Sequence, residues 1–205
     1  MAPIEEKGSL WSFNPTTSQW KLINPADAIA PYPAARSYHT MTSDGSNTLF
    51  LHAGCPQQGR LSDLWAFDVN AKMWRSLPAA PGPPRGGTSI TYSAGKLYRM
   101  NGFDGQNEQG GHVDVFDLGS EAWSTLAYPV DGKSGPEARS VGALLSLEVD
   151  SKKYLITLFG EHDPSSIGHS GAGKMLGNVW AYDITGGDWT ELKADGDTPQ
   201  PRGWF

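Results

Sequence analysis

The segment between residues 161 and 177 concentrates the side chains that are best suited to chemistry. It carries two carboxylates, Glu161 and Asp163, and two imidazoles, His162 and His169. Carboxylate oxygens and imidazole nitrogens are competent ligands for metal ions. The same side chains could instead only fasten a long loop to its neighbours. The segment therefore predicts either a metal site or a cross-linked loop.

Arginines supply a second kind of chemistry, because a planar guanidinium binds oxyanions such as sulfate and carboxylates through paired hydrogen bonds. Four arginines each stand at the start of a similar stretch of sequence: Arg36, Arg85, Arg139 and Arg202. We predict an anion-binding set that includes Arg36, Arg85 and Arg139. The structural alternative is that each arginine donates hydrogen bonds to neighbouring backbone.

Four copies of one pattern must position these residues. In each copy, an apolar and aromatic strand ends at an Asp or Asn, and a Trp follows six positions later. The pairs are Asn14 with Trp20, Asp68 with Trp74, Asp117 with Trp123, and Asp183 with Trp189. The copies recur roughly every 50 to 65 residues, which is close to the repeat length of propeller blades. We expect the four tryptophans to pack between blades.

Composition agrees with a chain built from short strands. The 205 residues include 25 glycines and 8 tryptophans, which is typical of tight turns combined with aromatic packing. Proline and glycine stand between the predicted strands, and no long segment has the period of an amphipathic helix. The predicted fold class is all-β.

Charge and hydropathy argue against several functions. The formal net charge of −6 disfavours a nucleic-acid surface, which needs clustered lysines and arginines. No apolar run approaches the roughly 18 residues of a membrane helix, and the first residues show no signal-peptide core. Cys55 is the single cysteine, so it forms no disulfide within the chain. We therefore predict a cytoplasmic protein with no nucleic-acid or membrane partner.

The repeated units resemble the kelch repeat, which has an arginine, four strands with glycines after the second, and the Asp and Trp landmarks. Kelch repeats usually carry paired glycines at that point. Here only the second glycine is kept, so that the pairs read Ala53-Gly54, Asn101-Gly102 and Phe159-Gly160. Asparagine tolerates a positive φ, whereas alanine and phenylalanine do so poorly.

The resemblance covers residues 10 to 205 and implies a kelch-type β-propeller that is incomplete. We expect one domain over residues 1–205, with an outer half-blade at about 10–24, full blades at 36–77, 85–126 and 139–192, and the first strand of another at 202–205. A propeller of this type needs about six or seven blades. We therefore expect a fragment or a truncated gene product, with possible self-association through exposed blade edges.

Propeller topology predicts how the two sets of residues meet. In a four-stranded antiparallel blade, the connection from the second to the third strand emerges on the same face as the connection between blades. The arginines follow the connections between blades, and the segment 161–177 is a connection from the second to the third strand. We expect the arginines to ring the central channel on the face that carries this loop.

The stretch from Phe159 to Gly173 resembles the corresponding loop of nitrile-specifier and thiocyanate-forming proteins. Their iron-binding pattern is Glu-x3-Asp-x3-His; Glu161 and His169 match its ends, Ser165 stands in the middle, and Asp163 is the nearest carboxylate. The resemblance implies an iron(II) site of Glu161, Asp163 and His169. It also implies a small sulfur-containing substrate, a thiohydroximate sulfate, whose breakdown is steered toward a nitrile while the arginines hold the sulfate. The alternative is a non-enzymatic kelch module that binds a protein partner.

Overall fold

Short antiparallel strands build the fold. The computed structural model describes residues 7–163, 165 and 173–204, and every regular element in that part of the chain is a β-strand. In the same residues, no helix is long and apolar enough to cross a membrane. The all-β prediction is confirmed.

Three four-stranded sheets form the blades, and the strands of each follow one another in space. Blade 1 contains β3 (Thr40–Ser43), β4 (Thr48–Gly54), β5 (Leu61–Asp68) and β6 (Met73–Leu77). Blade 2 contains β7 (Ser89–Ser93), β8 (Lys96–Met100), β9 (His112–Asp117) and β10 (Ala122–Ala127). Blade 3 contains β11 (Ala143–Val149), β12 (Lys152–Leu158), β15 (Val179–Asp183) and β16 (Trp189–Leu192).

Two small sheets complete the described chain. The N-terminal hairpin consists of β1 (Leu10–Asn14) and β2 (Gln19–Ile23), and it corresponds to the third and fourth strands of a blade. A two-residue ladder joins β13 (Glu161–His162) to β14 (Lys174–Met175) inside the long loop of blade 3. Sequence patterns did not predict this ladder, because two residues carry no periodicity.

The Asp or Asn of each repeat forms the turn between the third and fourth strands. In blade 2, the Asp117 carboxylate accepts the backbone N–H groups of Gly119 and Ser120, both at 3.0 Å. These hydrogen bonds favour the ionised form, so the pKa of Asp117 lies below its ordinary value. Asp183 accepts two backbone N–H groups in the same way. The turn is therefore encoded locally, since an Asp side chain caps its own turn.

A chain of backbone hydrogen bonds links the inner strands of successive blades. The N–H of Gly87 donates to Tyr38 O at 2.9 Å, that of Val141 to Gly87 O at 2.8 Å, and that of Trp204 to Val141 O at 3.0 Å. All four residues have a positive φ, between 48° and 67°. This conformation interrupts an extended strand, so β3 begins at Thr40 rather than near Arg36 as expected.

Hydrophobic cores lie between blades. Trp74 is 7% exposed and packs with Phe67 against the N-terminal hairpin, while Trp123 and Trp189 pack in the next two interfaces. Trp20 differs from the expectation, because it is 64% exposed. No described blade precedes the hairpin, so nothing in the described chain covers this tryptophan.

Candidate functional site

Glu161 closes the neck of the long loop in blade 3. Its backbone exchanges two hydrogen bonds with Ser140, at 2.8 and 2.9 Å, which places it beside the first strand of the same blade. The residue is 4% exposed, and its carboxylate accepts the backbone N–H of Gly173 on the returning side of the loop. Burial of a carboxylate is costly unless hydrogen bonds or a cation stabilise it. Glu161 is therefore a fixed, buried carboxyl group at the base of the loop.

His162 and Asp163 form a pair next to this carboxyl group. The Nδ1 atom of His162 lies 2.7 Å from Ala138 O, and because a carbonyl only accepts, Nδ1 carries a proton. The other ring nitrogen, Nε2, lies 3.2 Å from the Asp163 carboxylate, whose side chain is 73% exposed. A histidine that donates its first nitrogen to a carbonyl holds its second nitrogen in a fixed direction.

The described residues bring together only part of the predicted iron site. Glu161 turns toward Gly173, Asp163 turns toward His162 at the surface, and His169 lies outside the described residues. Among the residues that the structure describes, no three His, Cys, Asp or Glu side chains are grouped closely enough to hold a metal ion. The ligand set of Glu161, Asp163 and His169 stays a prediction.

A further carboxylate, that of Glu108 in blade 2, lies next to the base of this loop. Glu108, in the connection between β8 and β9, accepts the hydroxyl of Ser140 at 3.1 Å. Its other carboxylate oxygen is buried without a hydrogen-bond partner in the described chain. Burial, together with the nearby negative charge of Glu161, raises the pKa of Glu108 to about 8. Sequence reasoning missed this residue, because its environment is made by the neighbouring blade.

The four repeat arginines make one shared set of backbone contacts. Each Nε donates to the carbonyl two residues earlier, at 2.9 to 3.2 Å: Ala34, Pro83, Glu137 and Gln200. In the three complete blades, each Nη1 also donates to the carbonyl just before the repeat glycine: Ala53, Asn101 and Phe159. Those three residues have φ values of 58°, 66° and 58°. The arginines thus brace strained turns, as the structural alternative expects, and their anion-binding role stays a prediction.

The arginines differ in their carboxylate partners. Arg36 binds Asp63 through both terminal nitrogens, at 2.6 and 2.8 Å, and Arg139 contacts the Glu137 carboxylate at 3.2 Å. Arg85 contacts no carboxylate within the described chain. Its positive charge is therefore the least compensated of the three by a direct partner.

One arginine lies beside the long loop as topology predicts. Arg139 donates to Phe159 O at 3.0 Å and to the side chain of Asn178 at 2.9 Å, and these residues flank the loop on its two sides. An open groove of about 380 Å³ is lined instead by backbone and side chains of the first strands of the three blades, such as Met41, Ile90 and Leu144. As far as the described residues form this lining, it contains no arginine.

Comparisons with known proteins agree with this architecture. The family model described as the KLHDC2/KLHL20/DRC7 Kelch-repeats domain matches residues 4–205. The N-(sulfonatooxy)prop-2-enimidothioate sulfolyase of Thlaspi arvense is 30% identical over 178 residues, which are 83% of this chain and 48% of that protein. Adagio-like protein 1 of Oryza sativa subsp. japonica is 31% identical over 106 residues, 50% of this chain and 16% of that protein.

Host cell factor 1 of Homo sapiens is 27% identical over 210 residues, which cover 93% of this chain and 10% of that protein. The chain thus spans about half the length of the sulfolyase, at 48%, and smaller shares of the other two relatives. The four-stranded blades, the arginine-braced glycine turns and the family match over residues 4–205 agree with one another. The chain belongs to the kelch-repeat family.

Proposed function

We propose that this chain is a specifier-like kelch protein that steers the breakdown of a thiohydroximate sulfate toward a nitrile. Similarity to the Thlaspi arvense sulfolyase supports this substrate class, because that protein's name describes a sulfonatooxy imidothioate. The observation that carries the proposal is the position of Glu161, a residue that is 4% exposed at the base of the long loop. A buried carboxylate at the base of a loop is a group that a bound cation would stabilise.

Iron(II) would be held by Glu161, Asp163 and His169. Two carboxylates and one imidazole supply oxygen and nitrogen donors that suit this ion. When bound, the ion would provide a Lewis acid for the sulfur of the substrate. The chain itself contributes the fixed position of Glu161, since the backbone pairing with Ser140 and the hydrogen bond from Gly173 leave its carboxylate little freedom.

Arg36, Arg85 and Arg139 would hold the sulfate and ease its departure, because a guanidinium matches the geometry of an oxyanion. Arg85 is the strongest of the three for this role. In the described chain it contacts no carboxylate, whereas Arg36 and Arg139 each contact one. An added anion would compensate a buried charge that now has only backbone acceptors.

The test compares anaerobic iron(II) binding by the wild-type protein with binding by Glu161→Gln and by His169→Asn. His112→Asn is the matched control, because His112 is an exposed histidine of β9 outside the loop. We expect stoichiometric binding in the wild type and the control, and loss of binding in both loop variants. The nitrile yield from a thiohydroximate sulfate generated in the assay should fall in the same variants. Iron(II) binding that is unchanged in both loop variants would refute the proposed site.

A non-enzymatic kelch module that presents its loop face to a protein partner is the second candidate. The arginine contacts favour it, since in the three complete blades the guanidinium groups already donate to backbone carbonyls. Such a module needs no metal, and it tolerates Glu161→Gln without loss of partner binding. The iron measurement therefore separates the two candidates.

A further inference from the structure

The boundary between blades 1 and 2 contains an ion pair where the other copies of the repeat have uncharged side chains. Three of the four copies have a tryptophan three positions before the Asp or Asn of the turn: Trp11, Trp65 and Trp180. Blade 2 has Asp114 at this position, and the strand register places Arg99 of β8 opposite it. The residues that correspond to Arg99 are Leu51 in blade 1 and Thr157 in blade 3. Among the described blades, the pair is therefore particular to blade 2.

Arg99 is enclosed at this boundary, with one edge of its guanidinium unpaired in the described chain. Arg99 is 0% exposed and Asp114 is 4% exposed. The Nη1 atom donates to the Asp114 carboxylate and to Pro81 O, both at 2.8 Å, whereas Nε and Nη2 have no hydrogen-bond partner among the described residues. The N–H groups of Nε and Nη2 point in parallel from one edge of the planar group, and such an edge matches the two oxygens of an oxyanion.

A second buried guanidinium increases the positive charge at the same place. Arg85 is 5% exposed and donates to Pro83 O at 3.2 Å, so both guanidinium groups hold carbonyls of the connection between the two blades. Within the described chain, Asp114 is the one carboxylate in contact with either arginine. Burial, and after it the charge of Arg85, lowers the pKa of Arg99 to about 10, which leaves Arg99 charged at neutral pH. Because buried charges are costly without a partner, the two arginines favour one more negative charge.

His52 adds a hydrogen-bond acceptor from the side of blade 1. It is 0% exposed, and its ring centroid lies 6.3 Å from that of Trp123 in blade 2. The Nδ1 atom lies 2.8 Å from Asp63 O, so Nδ1 carries a proton and Nε2 of the neutral ring is an acceptor. Nε2 is buried with no partner in the described residues. Burial, and then the charge of Arg99, lowers the pKa of His52 to about 3, so the ring stays neutral near pH 7.

We propose that this boundary binds a small, singly charged oxyanion that carries one hydroxyl group, of which hydrogencarbonate is the simplest example. Two of its oxygens accept the N–H groups of Arg99 Nε and Nη2, and its hydroxyl donates to His52 Nε2. Its charge compensates the second guanidinium, that of Arg85. Chloride supplies the charge but no donor for His52, whereas water supplies the hydrogen bonds but no charge. The site uses neither the loop 161–177 nor a metal, so it is independent of the proposed iron site.

Urea unfolding followed by tryptophan fluorescence tests the proposal, because a ligand held between two blades stabilises the folded state. The probe is hydrogencarbonate at constant ionic strength and mildly alkaline pH, where this ion predominates over carbonic acid. We expect about 50 mM hydrogencarbonate to raise the folding equilibrium constant of the wild type at least about 5-fold, as a dissociation constant of about 10 mM would. Formate is the matched ion, since it has the same charge and two acceptor oxygens but no hydroxyl. It should raise the constant less than about 2-fold.

Two double variants show where the ion binds. Arg99→Met/Asp114→Leu removes both members of the buried pair, and apolar side chains of similar size often replace such a pair without loss of stability. Its folding equilibrium constant should no longer respond to hydrogencarbonate. Arg75→Met/Glu121→Leu is the control, because this exposed pair joins the same two blades at 2.6 Å. The control should respond like the wild type.

His52→Met tests the acceptor and keeps both arginines. Methionine already occupies the corresponding position of blade 2, as Met100. The variant should respond to hydrogencarbonate and formate alike, because neither ion then gains a hydrogen bond from a hydroxyl group. A wild type that does not respond to hydrogencarbonate, or that responds equally to formate, would overturn the proposal. An unchanged response in Arg99→Met/Asp114→Leu would overturn it as well, and if that variant does not fold, the comparison of His52→Met with the wild type decides.

Discussion

The ion pair of Arg36 and Asp63 offers the sharpest test of what the repeat arginines do. The guanidinium makes four hydrogen bonds, two to backbone carbonyls at 2.9 and 3.0 Å and two to the Asp63 carboxylate at 2.6 and 2.8 Å. The Arg36 side chain is 3% exposed and that of Asp63 is 29% exposed. Removing one partner of a buried pair costs about 3 to 5 kcal/mol, and water reaches Asp63 here, so we expect about 3 kcal/mol for Arg36→Gln.

A double-mutant cycle isolates the pair from the backbone contacts. Asp63→Asn alone leaves a buried guanidinium with a weaker acceptor, whereas Arg36→Gln/Asp63→Asn leaves no charge to compensate. We expect the double variant to be more stable than the sum of the single losses predicts, by about 2 kcal/mol. Urea unfolding followed by tryptophan fluorescence measures the free energies. The control cycle combines Arg36→Gln with Asp117→Asn, a turn residue of blade 2, and these changes should be additive within about 0.5 kcal/mol.

A coupling below about 0.5 kcal/mol between Arg36 and Asp63 would refute this reasoning. It would mean that the ion pair adds nothing measurable to the stability of the folded state, and that another anion could replace Asp63 on the guanidinium. Sulfate then provides a second readout. Added sulfate stabilises both the wild type and Arg36→Gln through a general salting-out effect. If Arg36 binds sulfate, the free energy of unfolding of the wild type should rise more with added sulfate than that of Arg36→Gln.

Two further predictions concern the loop neck and the glycine turns. The pKa of Glu108 is about 8 in the folded protein, above its ordinary value of 4.5. Between pH 4.5 and pH 8 the folded state therefore binds more protons than the unfolded state. Because of this difference, the free energy of unfolding of the wild type falls as pH rises through that window. Glu108→Gln removes this fall, and its melting temperature should exceed that of the wild type increasingly from pH 5 to about pH 9; parallel curves would contradict the assignment. Gly160→Ala places a Cβ 2.6 Å from Ser140 O at a φ of +102° and should cost more than about 2 kcal/mol in urea unfolding. Gly45→Ala, with a φ of +74° and open space around the added carbon, should cost only about 1 to 2 kcal/mol, and equal losses would show that the contact with Ser140 does not matter.

Local patterns predicted much of the fold. The Asp or Asn six positions before each Trp marked four hairpins, because that side chain caps the turn between its own two strands. Strands β4 (Thr48–Gly54) and β6 (Met73–Leu77) lie within the blade expected at 36–77. The first strands start later than expected, since a positive φ at Tyr38 and its counterparts depends on hydrogen bonds to the neighbouring blade.

The site was less accessible to sequence reasoning. Glu161 stands out by its residue type and its loop, and the structure adds that it is buried and fixed by Ser140 and Gly173. Glu108 lies in another blade, and the residues near it in the sequence do not indicate that Ser140 is its hydrogen-bond partner. Its raised pKa comes from burial between two blades, which is not a property of its local sequence.

The sequence by itself determined the all-β class, the repeat and the hairpin turns, because these depend on hydrogen bonds between residues a few positions apart. Tertiary structure alone decided that the repeat arginines brace the glycine turns, and that Arg36 rather than Arg85 has a carboxylate partner. It also decided that two Phe–Trp pairs of the same type differ in burial: Trp74 is buried, whereas Trp20 is exposed. The physical reason is that burial and ion pairing depend on which blade lies next to a side chain, and the blade interface joins residues that are far apart in the chain.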